Sequence, residues 1–280
     1  MTSKDLTDAI KEFKKGISSR NRDIFANLNS VTDSDSIKAS VKLAYNDAKR
    51  TFDGIGKYET ERDAAIEEIN KKFGEYFASP APQGEEKFDE THKKLCDIWS
   101  DAFKDKDLNL AAFGKAQKIV NMAFKYLYCC DTSGQYKNHF KYCHMPLDSF
   151  TLEWFKRNVK VNPKIVAGKM TSWSNLEYKG NDGSKDFFIA TDNKEYYTYK
   201  FYLDNIRKYI LDNNIKFSAL ELEFVEWPKI QMHLAAEGFL FSLMDTANMN
   251  LKKTKSDIRA KSLDDKYAEI VAIFKMKNII

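Results

Sequence analysis

Residues 115–128, Lys-Ala-Gln-Lys-Ile-Val-Asn-Met-Ala-Phe-Lys-Tyr-Leu-Tyr, follow Gly114 as a strong helical pattern that is apolar nearly all round. A helix with no wholly polar face must be covered on every side, so this segment is expected at the centre of the molecule with the rest of the chain around it. Only 11 glycines and 5 prolines occur in 280 residues, few for a chain that must turn as often as an all-β protein does. The expected fold class is therefore all-α, a multi-helix bundle with a central buried helix and irregular connections.

The flanking sequence supplies the helices to do the covering. From Thr2 to about Tyr76 the pattern is helical, with Ile10, Phe13 and Ile17, then Ile66, Ile69, Phe73 and Phe77, at helical spacing. Ala78-Ser-Pro-Ala-Pro-Gln-Gly84 holds two of the prolines and reads as a linker. A helix follows from Glu85 to Phe103, presenting Leu95, Ile98, Trp99 and Phe103. Beyond the central segment, Asp131–Lys141 reads as a polar loop, and Ser149–Arg157 as a helix. Residues 158–192, with Pro163 and Trp173, read as irregular with a short strand pair. Two long helices are expected at Asn193–Asp212 and Ser218–Asn248, the second kinked or broken at Pro228. The regions implied are 1–84, a helical N-terminal part; 85–250, a helical core; and 251–280, a basic C-terminal segment.

Charge is informative through its position. The 45 Lys and Arg against 41 Asp and Glu give a net charge of only +4. Residues 251–280 carry eight basic and four acidic residues, which is the whole of that excess. Such a tail is either a solvated helix end or a contact for phosphates or an anionic surface. No apolar stretch approaches the roughly 18 residues of a membrane span, and the start, MTSKDLTDAIKEFKK, has no signal-peptide core. Four cysteines in such a chain read as reduced thiols. The expectation is a cytoplasmic monomer with no membrane partner.

Candidate chemistry begins at the central helix. Lys115 and Lys118 flank its entry, and Asp148, in His144-Met-Pro-Leu-Asp148, follows Lys118 by 30 residues. A lysine is a nucleophile only when neutral, and desolvation at an apolar helix entry favours that form. A carboxylate fixed beside it can move the proton or stabilise a developing cation. Near the other end of the chain, Glu223-Phe-Val-Glu-Trp227 sets two glutamates beside a tryptophan in an otherwise apolar helix. Buried carboxylates are rarely left unpaired, so Glu223 or Glu226 is expected to have a partner or a ligand.

Read as a string, Lys118-Ile-Val-Asn-Met-Ala-Phe-Lys-Tyr-Leu-Tyr128 followed by Met145-Pro-Leu-Asp148 resembles the helix-hairpin-helix DNA glycosylases, most closely the archaeal 8-oxoguanine DNA glycosylase branch. The resemblance covers roughly residues 108–157 and a short late segment. It implies a glycosylase-like helical bundle that excises a base from DNA. Lys118 matches the Schiff-base nucleophile, Lys125 the second lysine seven residues on, and Asp148 the catalytic acid. Glu223 and Trp227 match a carboxylate and tryptophan that line the base pocket, with Glu where that branch has Asp, and Met122 joins them as a base contact. The family hairpin Leu-Pro-Gly-Val-Gly has no counterpart: Leu110-Ala-Ala-Phe-Gly114 offers one glycine and no proline. Aligning on Gly114 instead favours Lys115, which stays the alternative nucleophile. No cofactor is implied.

Cys129, Cys130, His139, Cys143 and His144 cluster within sixteen residues, in a spacing that matches no regular zinc finger. They are either packed thiols with loop histidines or a metal site bracing the loop between Lys118 and Asp148. There is no Gly-rich phosphate loop, Gly-x-Ser-x-Gly elbow or His-Glu-x-x-His. His233, between Met232 and Leu234, reads as a core or pocket-wall residue. The function expected is thus a DNA glycosylase, with or without lyase activity. Its substrate would be an oxidised purine or another modified base, for example one in invading phage DNA. The rival is a non-catalytic helical module binding nucleic acid or protein through its aromatic helices and basic tail.

Overall fold

The computed structural model describes residues 2–161, 170–180, 183–189 and 193–246, with side chains to residue 238. Pro163 and the basic segment 251–280 lie outside the described residues, as does the expected helix end at Asn248. The chain divides into two units, Met1–Glu226 and Trp227–Ile280.

The fold is all-α. The first unit holds α1 (Ser3–Lys15), α2 (Ser19–Phe25), α3 (Ser34–Ala48), α4 (Glu59–Ala78), α5 (Glu85–Phe103), α6 (Leu108–Ala111), α7 (Phe113–Tyr128), α8 (Lys137–Phe140), α9 (Ser149–Asn158) and α10 (Tyr199–Asp212). It also holds the start of α11 (Ala219–Thr246), which continues into the second unit. One antiparallel pair, β1 (Phe187–Ile189) with β2 (Glu195–Tyr197), is the sheet of the described residues, with Phe187 opposite Tyr197.

The central helix is α7, and every residue from Phe113 to Leu127 is buried. α3 lies along it, α5 packs beside it, and α4 closes against both α3 and α5. Aromatic rings fill these contacts: Phe73 and Phe88 meet Phe124 of α7 at 4.7 and 5.5 Å, and Phe52 stacks on Trp99 at 5.0 Å. The segment between α4 and α5 contains Pro80 and Pro82 and ends at Gly84, whose φ of 133° suits glycine.

Several expectations needed correction. The N-terminal helical pattern is four helices, interrupted at residues 16–18, 26–33 and 49–58. α10 begins at Tyr199 and not at Asn193: Asn193 is left-handed at φ 58°, residues 195–197 are taken by the sheet, and the Thr198 side chain caps the helix by accepting from Phe201 N. The strand pair accordingly has its second strand outside residues 158–192. Pro228 does not break α11, which runs through it. A proline there removes the one N–H that would reach the Phe224 carbonyl, and 28 residues of helix absorb that loss.

Gly114 also acts differently from a hairpin glycine. Its N–H donates to the Leu176 carbonyl at 2.8 Å, and a Cβ on it would stand 1.9 Å from the Trp173 carbonyl oxygen. It is the point where the 173–176 turn lies directly on α7, so its N–H is aimed at protein and not at a phosphate. Gly114→Ala is expected to cost about 2–3 kcal/mol, since overpacking against backbone outweighs the gain of about 1 kcal/mol in helix propensity. Denaturant unfolding of the two proteins checks this.

Candidate functional site

Lys118, Met122 and Lys125 fall at i, i+4 and i+7 of α7 and share one face of it. The face is buried, so each ammonium group on it requires an anionic or aromatic partner. Lys118 Nζ lies 2.8 Å from Asp148 Oδ2, with the side chains only 8% and 12% exposed. Lys125 Nζ lies 2.5 Å from Glu223 Oε2, with 3% and 1% exposed. The structure therefore brings together Lys118 with Asp148 and Lys125 with Glu223, two acid–base pairs two turns apart on one face of α7.

Asp148 is held by its own helix. It is the N-cap of α9: Oδ1 accepts from Phe150 N and Thr151 N, both at 2.9 Å, while Thr151 Oγ1 accepts from Asp148 N. This division leaves Oδ2 for the lysine. A second device fixes the register. Gln117, the neighbour of Lys118, grips Leu147, the neighbour of Asp148, in both directions: Nε2 donates to Leu147 O at 2.8 Å, and Oε1 accepts from Leu147 N at 3.2 Å. Sequence reasoning missed Gln117. The available signal was a polar side chain inside a helix otherwise expected to be buried on all sides.

The environment of the two pairs is mostly protein. Burial raises Glu223 above the usual carboxylate range, against the pull of Lys125. Burial likewise raises Asp47 of α3, although Tyr126 donates to it at 2.6 Å and both Lys118 and Lys125 act on it. Lys125 Nζ sits 4.2 Å from the ring centre of Phe13 and 4.8 Å from that of Phe224. Asp47 and Phe13 are the other site neighbours that the sequence did not single out as such.

Lys115 is placed elsewhere. Its ammonium donates to Asn109 O at 2.9 Å and Asn109 Oδ1 at 2.8 Å, tying the first turn of α7 to α6. Burial draws its pKa down, opposed by Asp107 and Asp53. Glu226 accepts from Trp154 Nε1 at 3.2 Å, so both late glutamates have protein partners. Trp227 opens the second unit and is half-buried. His233, in that unit, lies 3.6 Å from Glu237.

The cysteine–histidine cluster is dispersed. Cys129, Cys130 and Cys143 are buried free thiols, and burial pushes the first two up to about 12. His139 contacts the Ser79 carbonyl at 2.8 Å, while His144 joins a separate buried network. Among the described residues no three His, Cys, Asp or Glu side chains converge as a metal site would require.

That network runs from the lysine site to the surface. Asn121 donates to Gln117 Oε1 and contacts His92 Nε2 at 2.7 Å; Tyr199 OH joins Asn121 to His144 Nδ1; His144 Nε2 meets Asp89 at 2.8 Å. Arg207 then holds Asp89 through two nitrogens, at 2.9 and 2.6 Å. Burial alone would raise Asp89, but His144 and Arg207 outweigh it and hold the carboxyl far below its usual range. Burial pushes His144 down to about 4, against its bond to Asp89. A histidine whose folded value is depressed leaves the unfolded chain binding more protons, so stability falls as pH drops from 6.5 towards 4. The expected loss from His144 by pH 4 is on the order of 3 kcal/mol. Melting temperatures across that range, compared with His144→Gln, check it: the variant should lack this part of the slope.

A cavity of about 870 Å³ opens where α8 and the following loop face the end of α10 and the start of α11, with Tyr128, Arg207 and Glu221 in its wall. Neither lysine–carboxylate pair lines it. Among the described residues, no helix is long and apolar enough to cross a membrane. Compared with protein-family models, curated proteins and solved structures, the chain matches none.

Proposed function

We propose that this protein is a DNA glycosylase in which Lys118 is the amine nucleophile and Asp148 its proton acceptor. The observation that carries the reading is the Lys118–Asp148 contact: 2.8 Å, almost dry, with the acid locked as a helix N-cap. An ammonium in that position has a carboxylate oxygen within reach to take its proton, and the neutral amine that results can attack C1′ of a deoxyribose. As the new C–N bond forms, the bond from C1′ to the base breaks and its electron pair leaves with the base. Loss of the second amine proton and opening of the sugar give an imine, from which strand cleavage can follow. Once Asp148 has passed the proton it took from the lysine to the departing base, its restored carboxylate stabilises the positive charge left on the sugar, and burial keeps that interaction strong.

The second pair supports the same reading. Lys125 and Glu223 offer an N–H donor and a carboxylate acceptor beside Phe224, the combination needed to hold an extruded base by its edge and its ring. Met122 lies between the two lysines on the same helical face. The partner is DNA carrying a damaged or modified base, an oxidised purine or a base such as those in invading phage DNA, and the protein acts as a monomer. Incubation in enzyme excess with duplexes each carrying one modified base, with released base measured by chromatography, tests the proposal. Release from at least one is expected; release from none overturns it and leaves the non-catalytic helical module.

A further inference from the structure

On the glycosylase reading, the Lys125–Glu223 pair must meet a base, yet both side chains are almost completely buried. Something must move before a ligand can reach them. α3, α5 and α9 are anchored by buried side chains along their length, but α1 is not: none of its residues is buried. α1 is also closed on itself. Thr2 and Asp5 form a capping box at its start, Gly16 N–H returns to the carbonyls of Glu12 and Phe13 at its end, and Lys15 pairs with Glu12. Elements with little buried surface are those that open first.

What α1 contributes to the site is one ring. Phe13 stands over the Lys125 ammonium at 4.2 Å, meets Phe224 edge-on at 5.3 Å, and lies 5.6 Å from Tyr126. Two aromatic rings thus meet the Lys125 ammonium, Phe13 from α1 and Phe224 from α11, and they also meet each other. A nucleobase is itself an aromatic ring with a polar edge, and a cation is attracted to the face of either. We propose that Phe13 is a removable plug that holds the place of the extruded base: it covers Lys125 in the free protein and withdraws with α1 when the base enters. The base then takes over the aromatic contact with the ammonium and brings its own polar edge to Glu223, which phenylalanine cannot do. The plug keeps the buried pair dry in the absence of DNA and sets an energetic threshold that a base able to bond Glu223 can cross and an ordinary apolar ring cannot.

The test reads the cover and the chemistry separately. Lys125 acetylation by an amine-reactive ester, followed by peptide mass spectrometry, is compared between wild type, Phe13→Leu and Phe13→Ala, with circular dichroism and melting curves to verify the fold. Lys125 should be protected in wild type and react at least about tenfold faster in Phe13→Ala, with Phe13→Leu close to wild type because its side chain still covers the amine. On a duplex whose base is released, Phe13→Ala should lower KM severalfold and leave kcat nearly unchanged, since the plug opposes entry and takes no part in bond breaking. Lys125 equally protected in wild type and in a folded Phe13→Ala protein would overturn the proposal, as would a KM that rises. Faster acetylation in Phe13→Ala without base release from any duplex would support the cover and overturn the glycosylase reading instead.

Discussion

Lys118→Gln is expected to lower base release by about a thousandfold or more, because it removes the only atom assigned to attack the sugar while retaining a polar side chain of similar length. The fold should survive the change. Asp148 keeps its two N–H partners in the first turn of α9, and the Gln117–Leu147 clamp, which sets the register of the two segments, is independent of the lysine amine. Single-turnover measurements of base release, with circular dichroism to monitor the fold, check both halves. Lys115→Gln is the matched comparison: the Lys115 amine ties α7 to Asn109 of α6, so its loss should reduce stability more than turnover. Equal loss of turnover in the two variants would remove the distinction drawn between these lysines.

Lys125→Met is the second large effect, and it falls on stability. The change leaves Glu223 buried without its cation, and removing one partner of a buried ion pair costs about 3–5 kcal/mol. The deficit has a defined pH dependence. Glu223 is already raised by burial against the pull of Lys125, and without that pull it rises further. An acid with a raised folded value binds more protons folded than unfolded, so stability falls as pH rises from the unfolded value near about 4.3 through the folded one. The deficit of Lys125→Met relative to wild type should therefore be greatest at neutral pH and shrink on acidification, opposite in sign to the contribution of His144. Adding Glu223→Leu to Lys125→Met should recover most of the loss, because an apolar pair of similar volume has no charge to desolvate. Urea unfolding at pH 7 and pH 5 separates these outcomes.

Much of the fold was legible because the strongest signals were local. The run from Lys115 to Tyr128 is too apolar to face water, and it forms the buried helix α7. The proline-containing stretch before Glu85 cannot continue a helix, and α5 has the bounds read for it, Glu85–Phe103. Lys118 and Asp148 were readable as a candidate pair from a lysine at the helix entry, a proline-led acid 30 residues on and the family resemblance, and their side chains lie 2.8 Å apart. Features that depend on distant chain segments were less legible. The start of α10 is set by the β1–β2 pairing and by the Thr198 cap, which the apolar spacing of residues 193–198 does not encode. Gly114 looked like a turn residue until the 173–176 segment was found resting on it. Phe13 read simply as one of three apolar residues on an amphipathic helix, because nothing local shows that its ring ends over an ammonium group more than a hundred residues away.

An amine of Lys118 that bonds to the sugar passes through an imine, and borohydride reduces that imine to a stable adduct. Wild type, Lys118→Gln and Lys115→Gln would be incubated with a duplex containing an abasic site in the presence of borohydride, and any covalent adduct mapped by peptide mass. An adduct located on Lys118 is expected in wild type and in Lys115→Gln, and none in Lys118→Gln. No adduct from wild type, or an adduct that persists in Lys118→Gln, would rule out Lys118 as the amine that bonds to the sugar.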